Sequence, residues 1–143
     1  QSKYVQNGIY ATGANNFTLN TSLPVPANGL LAVSSSLTPI SAANVVRVSG
    51  MASGSNSGGT TMIAYLYDST NGTTRTVSGL TLGIGFYNTV PIYYESVSNT
   101  VSSLSYSIYI SQAAGTTYLN GYAGAQYFGS SGATFIRIEE IMV

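Results

Sequence analysis

The 143-residue chain carries four basic and four acidic residues and contains neither Cys nor His. A charged fraction of 6% and a net charge of zero exclude the strongly basic surface that binds nucleic acid or an anionic membrane. Without Cys and His the chain has no disulfide, no thiolate metal site and no usual general base, so we expect no cofactor and no metal.

The first half of the chain alternates apolar stretches with turns rich in Gly, Pro, Ser and Asn. Pro24 and Pro26 fix an extended connection before the first clear strand. Residues 53–61 are rich in Gly and Ser and are predicted to form the tip of a hairpin. Residues 62–67 are apolar at every position, so we expect both faces of that strand to be buried. Strands are predicted at 30–34, 45–51, 62–67, 74–77 and 80–87.

The stretch 80–87 combines alternating apolar residues with two glycines. Alternate residues from Leu82 onward are predicted to share one face of a strand. Gly83 and Gly85 would then lie on the opposite face, where the lack of a side chain leaves room for another backbone or an aromatic ring. These two glycines are therefore candidates for a contact between subunits.

The second half of the chain also consists of short β-type stretches. Pro91 lies within the stretch 90–95, which predicts an edge strand or a strand start. A turn at 113–115 is followed by a returning strand at 117–120. The clearest alternation places four apolar side chains on one face: Leu104, Tyr106, Ile108 and Ile110. No helical period occurs, and roughly eight to ten short strands predict an all-β, antiparallel sandwich of the jelly-roll type.

The C-terminal strand is predicted from Thr134 onward, after a Gly-Ser-Ser-Gly turn at 129–132. Ile136 and Ile138 share one face, which suits a core. A strand with partners on both faces belongs inside a sheet. The second face can be interpreted as a contact with another copy of the chain or as a solvated ion pair worth under about 1 kcal/mol. We favour the contact. That face mixes an aromatic, two charged residues and an aliphatic: Phe135, Arg137, Glu139 and Ile141.

The best binding candidate is the Tyr-rich stretch between 118 and 128. Tyr rings stack on sugar faces, while Asn and Gln amides bond to sugar hydroxyls. Packing of these tyrosines on the sandwich or between subunits is at least as good an interpretation. The stretches 56–59 and 68–71 are weaker candidates, as predicted loop tips. The receptor-binding candidates are Tyr118, Asn120, Tyr122, Gln126 and Tyr127.

Cleavage of a glycan would need two carboxylates that converge. Glu139 and Glu140 are neighbours on a strand, so they point to opposite faces. Asp68 lies at a turn, where its side chain commonly bonds to the local backbone. Glu95, the fourth acidic residue, has no partner suggested by its spacing. We therefore expect no enzyme activity and no catalytic residue.

Motifs in three parts of the chain carry a family resemblance. They are Leu37-Thr38-Pro39-Ile40-Ser41 before 44–48, Ser105-Tyr106-Ser107-Ile108-Tyr109-Ile110 before 115–121, and the terminal Ile138-Glu139-Glu140-Ile141. With these motifs the chain, from about Leu23 to the end, resembles the C-terminal tip domain of tailed-bacteriophage tail fibres. The resemblance implies a jelly roll similar to tumour necrosis factor and C1q heads. It divides the chain into a lead-in segment at 1–22, where a fibre shaft would end, and a receptor-binding domain at 23–143.

The resemblance further implies a homotrimer at the distal end of a tail fibre of the virion. Its partner would be a polysaccharide or an outer-membrane protein of a bacterial surface. We expect no membrane insertion, because no apolar run of the sequence is long enough to span a bilayer. In the trimer, Phe135, Arg137 and Glu139 would lie at the subunit interface, together with Gly83 and Gly85.

Three other functions stay open. A virion structural or decoration protein would bind no bacterial surface. A carbohydrate-binding module of a secreted bacterial protein would be monomeric and would place several aromatics in one exposed row. A depolymerase domain would degrade the surface polysaccharide and clear a halo on a bacterial lawn.

Overall fold

The computed structural model describes residues 1–18, 22–81, 83–128 and 134–143. These residues form twelve β-strands and one short 3-10 helix, Pro26–Asn28. No helix within them is long and apolar enough to cross a membrane. The strands are β1 (Ser2–Gln6), β2 (Ala11–Gly13), β3 (Leu30–Leu37), β4 (Val45–Asn56), β5 (Thr61–Asp68), β6 (Thr73–Thr81), β7 (Asn88–Val97), β8 (Leu104–Gln112), β9 (Thr117–Leu119), β10 (Gly121–Tyr122), β11 (Ala125–Gln126) and β12 (Phe135–Ile141).

Two antiparallel sheets contain most of these strands. The larger sheet has the order β1-β12-β4-β9-β2, with β7 on the other side of β4, and the smaller sheet has the order β3-β8-β5-β6. The main pairs are nested along the chain: β5 with β6, β4 with β7, β3 with β8, and β1 with β12. This nesting winds one long antiparallel hairpin into two sheets, which is a jelly roll. The predicted all-β, jelly-roll sandwich of the TNF/C1q type is confirmed.

The core lies between the two sheets and follows the period-two alternation of the strands. Val46 and Val48 of β4, Ile136 and Ile138 of β12, and Ile108 of β8 are fully buried. Burying each such side chain stabilises the fold by about 1.5 to 3 kcal/mol. The C-terminal strand lies between β1 and β4, so its predicted place inside a sheet is confirmed. The edge position predicted from Pro91 is also confirmed, because β7 pairs only with β4 among the described strands.

The outer face of the smaller sheet is covered by the chain before β3. Phe17 packs there against Ile63 and Tyr65. The Tyr65 hydroxyl donates a hydrogen bond of 2.9 Å to the Val25 carbonyl, and burial raises the pKa of this phenol. The Ser111 hydroxyl donates to the Asn15 carbonyl at 3.1 Å. Both faces of β5 are therefore buried, as the sequence predicts.

Residues on both sides of position 23 contribute to the same sandwich. β1 pairs with β12 and β2 pairs with β9, so the segment 1–22 supplies two strands of the larger sheet. Its division from the domain at 23–143 stays a prediction. The turn predicted at 129–132 lies outside the described residues, as does Leu82.

The prediction of a hairpin tip at 53–61 is wrong. Residues 53–56 continue β4 and are buried, and β5 lies in the other sheet, so 57–60 is a connection between sheets. Two of the buried polar side chains find hydrogen-bond partners there: the Ser55 hydroxyl donates to the Gly121 carbonyl at 2.6 Å, and the Asn56 amide donates to the Thr60 carbonyl at 3.1 Å. The strand after the turn at 113–115, β9, does not pair with the preceding strand β8. It pairs with β4 in the larger sheet.

The prediction of a strand at 80–87 is also wrong for the residues after Thr81. Residues 83–87 form a turn in which Gly85 has φ of +75°, a conformation that glycine adopts without strain. The Gly85 amide donates to the Asn56 carbonyl at 2.9 Å, which anchors the turn to β4. Ile84 and Phe86 are therefore exposed rather than part of the core.

Glu140 is a buried carboxylate where the two ends of the chain meet. Its Oε1 accepts hydrogen bonds from the Asn44 side chain and the Ile40 amide, both at 2.7 Å, and its Oε2 accepts one from the Gln1 side chain at 2.8 Å. The Asn44 bond is the largest cause that lowers the pKa of Glu140 to about 2. The ionised carboxylate therefore joins the N-terminus and the loop at 38–44 to β12.

Replacing Glu140 by glutamine is expected to destabilise the fold in a pH-dependent way. The folded-state pKa lies below the ordinary value of 4.5, so the ionised carboxylate stabilises the fold above that pH. This stabilisation is lost as the pH falls from about 4.5 to about 2. Urea denaturation at several pH values should show the gap between wild type and Glu140→Gln narrowing across that window. A gap that is the same at pH 7 and pH 3 would contradict the assignment.

Candidate functional site

The predicted binding stretch forms a small hairpin at one end of the sandwich. β10 and β11 pair across a tight turn in which Ala123 and Gly124 have φ of +48° and +90°. Two consecutive positive φ angles are typical of a type I′ hairpin turn. The Gly124 amide donates to the Tyr10 hydroxyl at 2.8 Å, and the Gln126 side chain donates to the Gly8 carbonyl. The hairpin is thereby held against the segment between β1 and β2.

Aromatic rings gather beside this hairpin. The Tyr87 ring lies 5.3 Å from the Tyr127 ring and 5.6 Å from the Phe128 ring, and Tyr118 and Tyr122 lie 5.2 Å apart. Such pairs contribute about 0.5 to 1.5 kcal/mol beyond their buried area. We call this surface the aromatic end; it comprises Ile84, Phe86, Tyr87, Tyr118, Tyr122, Tyr127 and Phe128.

Two phenylalanines of the aromatic end project into solvent. Phe86 is 67% exposed and Phe128 is 69% exposed. Phe128 also has φ of +57°, which a bulky side chain rarely adopts and which costs about 1 to 3 kcal/mol. Residues held in such strained backbone conformations cluster at ligand-binding and active sites. The aromatic end is thus the best candidate for a binding surface.

Four of the five predicted receptor-binding residues lie at or beside the aromatic end, namely Tyr118, Tyr122, Gln126 and Tyr127. Asn120 does not, and its assignment is corrected. It is fully buried, with its amide donating to the Asn7 carbonyl at 2.9 Å and its Oδ1 accepting from the Thr134 hydroxyl at 2.7 Å. Phe128 ends the predicted binding stretch 118–128 but is not among the five candidates. The exposed ring of Phe86 was not predicted, because the alternation at 80–87 assigns it to a strand.

A second candidate surface is the outer face of the larger sheet. We define the outer face as the outward-pointing residues of β1, β12, β4 and β7. Register places Glu139 opposite Arg47, and Arg47 opposite Glu95. Arg137 Nη2 lies 2.8 Å from Glu139 Oε1, and Arg47 Nε lies 3.0 Å from Glu95 Oε2. Four of the chain's eight charged residues therefore lie on this one face as two adjacent ion pairs.

Exposed aromatics flank these ion pairs. Tyr4 and Tyr93 are both more than half exposed, and the Tyr4 ring lies 5.4 Å from the Phe135 ring. The Tyr93 hydroxyl donates to Glu95, and this bond, followed by the Arg47 contact, lowers the pKa of the Glu95 carboxyl. A face with neutralised charges and exposed rings is less costly to remove from water than a face with unpaired charges.

The predicted interface residues divide into two groups. Phe135, Arg137 and Glu139 lie together on the outer face. Gly83 and Gly85 lie in the turn beside the aromatic end, so their placement on a strand with a free face is corrected. The space next to each glycine is filled by this chain's own rings: a Cβ on Gly83 would lie 2.8 Å from Phe86, and one on Gly85 would lie 3.0 Å from Tyr122.

Each of the four acidic side chains has a bonding partner. Asp68 bonds Arg75, Glu95 bonds Arg47, Glu139 bonds Arg137, and Glu140 bonds Asn44. Glu139 and Glu140 point to opposite faces of β12, as predicted. Among the described residues no group of three or more acidic side chains is placed to hold a metal ion.

The comparisons with known proteins concern the fold. No protein-family model matches the chain, and no curated protein matches it in sequence. The solved structure of Eiger TNF from S. frugiperda is similar, with a TM-score of 0.55 and 9% identity over 99% of this chain and 92% of that one. A CBM35 from Cellvibrio japonicus Abf62 has a TM-score of 0.42 and 10% identity, over 97% of this chain and 93% of that one. The infectious bursal disease virus Gt strain has a TM-score of 0.48 and 12% identity, and this chain spans 38% of that one.

Proposed function

We propose that the chain is the receptor-binding tip of a bacteriophage tail fibre. It forms a homotrimer at the distal end of the fibre and attaches the virion to a polysaccharide or an outer-membrane protein of the bacterial surface. It has no enzyme activity. The observation that carries the proposal is the outer face, because its ion pairs and exposed rings suit contact with further copies of the chain.

The composition of the chain supports burial of the outer face between copies. With 6% charged residues, the chain has few charges with which to keep exposed sheet surfaces and edges apart. Four charges are nevertheless placed on one face, where they neutralise each other in pairs. Charged pairs add little net stability when buried, but they fix the register of an interface. The jelly roll, similar in fold to Eiger TNF, presents the outer face of its larger sheet for such a contact.

The aromatic end supports the receptor-binding part of the proposal. It lies at the end of the sandwich, away from the centre of the outer face, so it stays accessible when the outer face is covered. Exposed Phe rings and half-buried Tyr rings can stack on sugar faces. Stacking of this kind suits a polysaccharide receptor better than a catalytic step.

The carboxylates support a role in binding rather than catalysis. A glycosidase needs a general acid whose pKa is raised. Where the pKa of a carboxyl is shifted here, at Glu95 and Glu140, it is lowered by hydrogen bonds. These groups hold the fold and the outer face together as anions.

Removal of the exposed rings is expected to weaken attachment to bacteria. The 143-residue chain is labelled and incubated with a panel of bacterial strains, and then with purified lipopolysaccharides and capsular polysaccharides from the strains it binds. Phe86→Ala and Phe128→Ala should each weaken binding about tenfold, since central aromatic residues dominate such interfaces. Because both rings are largely exposed, both variants should fold, and loss of the ring contact with Tyr87 should lower the stability of Phe128→Ala by about 1 kcal/mol at most. Val101→Ala, which trims an exposed apolar residue elsewhere, is the matched control.

The same experiment separates the alternatives. A trimer that binds no strain would contradict attachment and favour a structural or decoration protein. A monomer by light scattering that binds sugar would favour a carbohydrate-binding module. Shortening of the polysaccharide during incubation would contradict the absence of enzyme activity. Binding unchanged in both variants would place the receptor site elsewhere on the chain.

A further inference from the structure

A pocket of about 310 Å³ opens at the opposite end of the sandwich from the aromatic end. Its position follows from the register of β7, which begins beside Gly54 near the aromatic end and finishes beside Val45. The volume lies at the lower limit of small-molecule sites, about 300 to 1,000 Å³, and therefore suits one small ligand. The residues that matter for its chemistry are Asn71, Arg75, Tyr94, Ser96, Asn99 and Tyr106.

Arg75 is held rigidly in the wall of this pocket. Asp68, which is 0% exposed, accepts bonds of 3.0 Å from Arg75 Nε and 2.7 Å from Arg75 Nη2. The Arg75 guanidinium also lies 5.7 Å from the centre of the Tyr94 ring. Because two of its nitrogens are fixed in this way, the third, Nη1, is positioned without further loss of side-chain freedom. Nη1 has no hydrogen-bond partner within the described part of the chain.

Other polar groups of the pocket also have unused hydrogen-bonding capacity. Tyr106 is 2% exposed and lines the pocket, yet its hydroxyl has no partner among the described residues. The Ser96 hydroxyl also has no hydrogen-bond partner among the described residues. Asn71 and Asn99 each use their side-chain nitrogen, on Asp68 and on the Val97 carbonyl, which leaves their side-chain oxygens to accept. The pocket therefore offers both donors and acceptors to a ligand.

The charge of the pocket is balanced. Asp68 neutralises Arg75, so the wall carries no net charge to attract an anion. Burial raises the pKa of Tyr106 to about 12, and its hydroxyl therefore stays protonated at neutral pH. A ligand rich in hydroxyl groups and without charge matches both properties, because each hydroxyl can donate to one wall group and accept from another.

We propose that this pocket binds a single neutral sugar residue. Arg75 Nη1, the Tyr106 hydroxyl and the Ser96 hydroxyl donate to it, and the side-chain oxygens of Asn71 and Asn99 accept from its hydroxyls. The site is separate from the aromatic end and does not depend on the attachment of the chain to a fibre or to a receptor.

The test is an amide-resolved NMR titration of the ¹⁵N-labelled chain with five neutral sugars: glucose, galactose, mannose, rhamnose and N-acetylglucosamine. At least one sugar should give saturable shifts centred on the amides of Arg75, Ser96 and Asn99. Tyr106→Phe and Ser96→Ala each remove only a hydroxyl without a partner, so both should fold normally. Each should weaken binding about five- to tenfold, which corresponds to one hydrogen bond. Tyr109→Phe, the same change on the other face of β8, should leave binding unchanged.

Several outcomes would overturn the proposal. One is the absence of saturable shifts with all five sugars. Another is preferred binding of galacturonate or N-acetylneuraminate, which would make the site an anion site. A third is wild-type affinity in both Tyr106→Phe and Ser96→Ala. Phe128→Ala should leave these titrations unchanged, so the pocket and the aromatic end can succeed or fail independently.

Discussion

Replacing Arg137 by alanine is expected to dissociate the proposed homotrimer or to destabilise it markedly. Arg137 is 50% exposed in the single chain and forms an ion pair of 2.8 Å with Glu139 at the centre of the outer face. If another copy covers this face, removal of Arg137 leaves Glu139 as an unpaired charge away from water. Breaking a buried pair in this way costs about 3 to 5 kcal/mol. Light scattering over a dilution series should show dissociation at concentrations where the wild type stays assembled.

The control for this prediction is Lys3→Ala. Lys3 lies opposite Ile138 on the neighbouring strand, so it belongs to the other face of the same sheet. The two variants lose the same charge, and only Arg137→Ala should change the mass. A solvent-exposed pair contributes under about 1 kcal/mol. Unchanged assembly and unchanged melting of Arg137→Ala would therefore contradict the interface and reduce the pair to a surface contact.

Replacing Asp68 by alanine is expected to cost about 3 kcal/mol of folding free energy. This fully buried carboxylate accepts bonds from Arg75, from the backbone amides of Thr70 and Asn71, and from the Asn71 side chain. Alanine leaves all these donors without their acceptor at once. The cost lies at the lower end of the range for broken buried pairs because Arg75, 30% exposed, can turn toward water.

Two further variants separate the contribution of the Asp68 charge from that of its hydrogen bonds to the turn. Asp68→Asn keeps an oxygen that can accept from the turn amides but loses the charge opposite Arg75, so its cost should be intermediate. Ser69→Ala, in the same turn but exposed, should change stability by less than about 0.5 kcal/mol. Guanidinium denaturation at one protein concentration provides the measurement, because assembly would otherwise shift the midpoint. Equal stability of Asp68→Ala and Ser69→Ala would contradict the structural role of the carboxylate.

The parts of the fold that were predictable from the sequence are the strands whose apolar residues either alternate or fill every position. The alternation at Ile136 and Ile138, and the apolar run at 62–67, indicate which faces are buried without knowledge of any partner strand. The connection at 57–60 was not predictable in this way. Ser and Gly show no apolar alternation, so the sequence could not distinguish a hairpin tip from a connection between two sheets.

The candidate sites were less predictable, because they depend on contacts between distant parts of the chain. The amide of Asn120 is of the type that binds sugars, but its hydrogen-bond partners, the carbonyls of Asn7 and Ile9, lie at the other end of the sequence. The pocket at Arg75 and Tyr106 unites residues from β6, β7, β8 and two turns. Of these residues the sequence marks only the turn at 68–71 as a binding candidate, and it does so because the turn is a predicted loop tip.

The nested pairing of the strands has a kinetic consequence. β5 and β6 are joined by a four-residue turn, whereas β1 meets β12 only when Ser2 reaches Glu139. Closing a loop costs about 0.6 kcal/mol for each doubling of its length, and each inner pair shortens the loop that the next pair must close. We therefore expect folding to proceed outward from the central hairpin, on the millisecond-to-second timescale of proteins dominated by distant contacts. The two chain ends are then the last parts to join the sheet and the first to leave it.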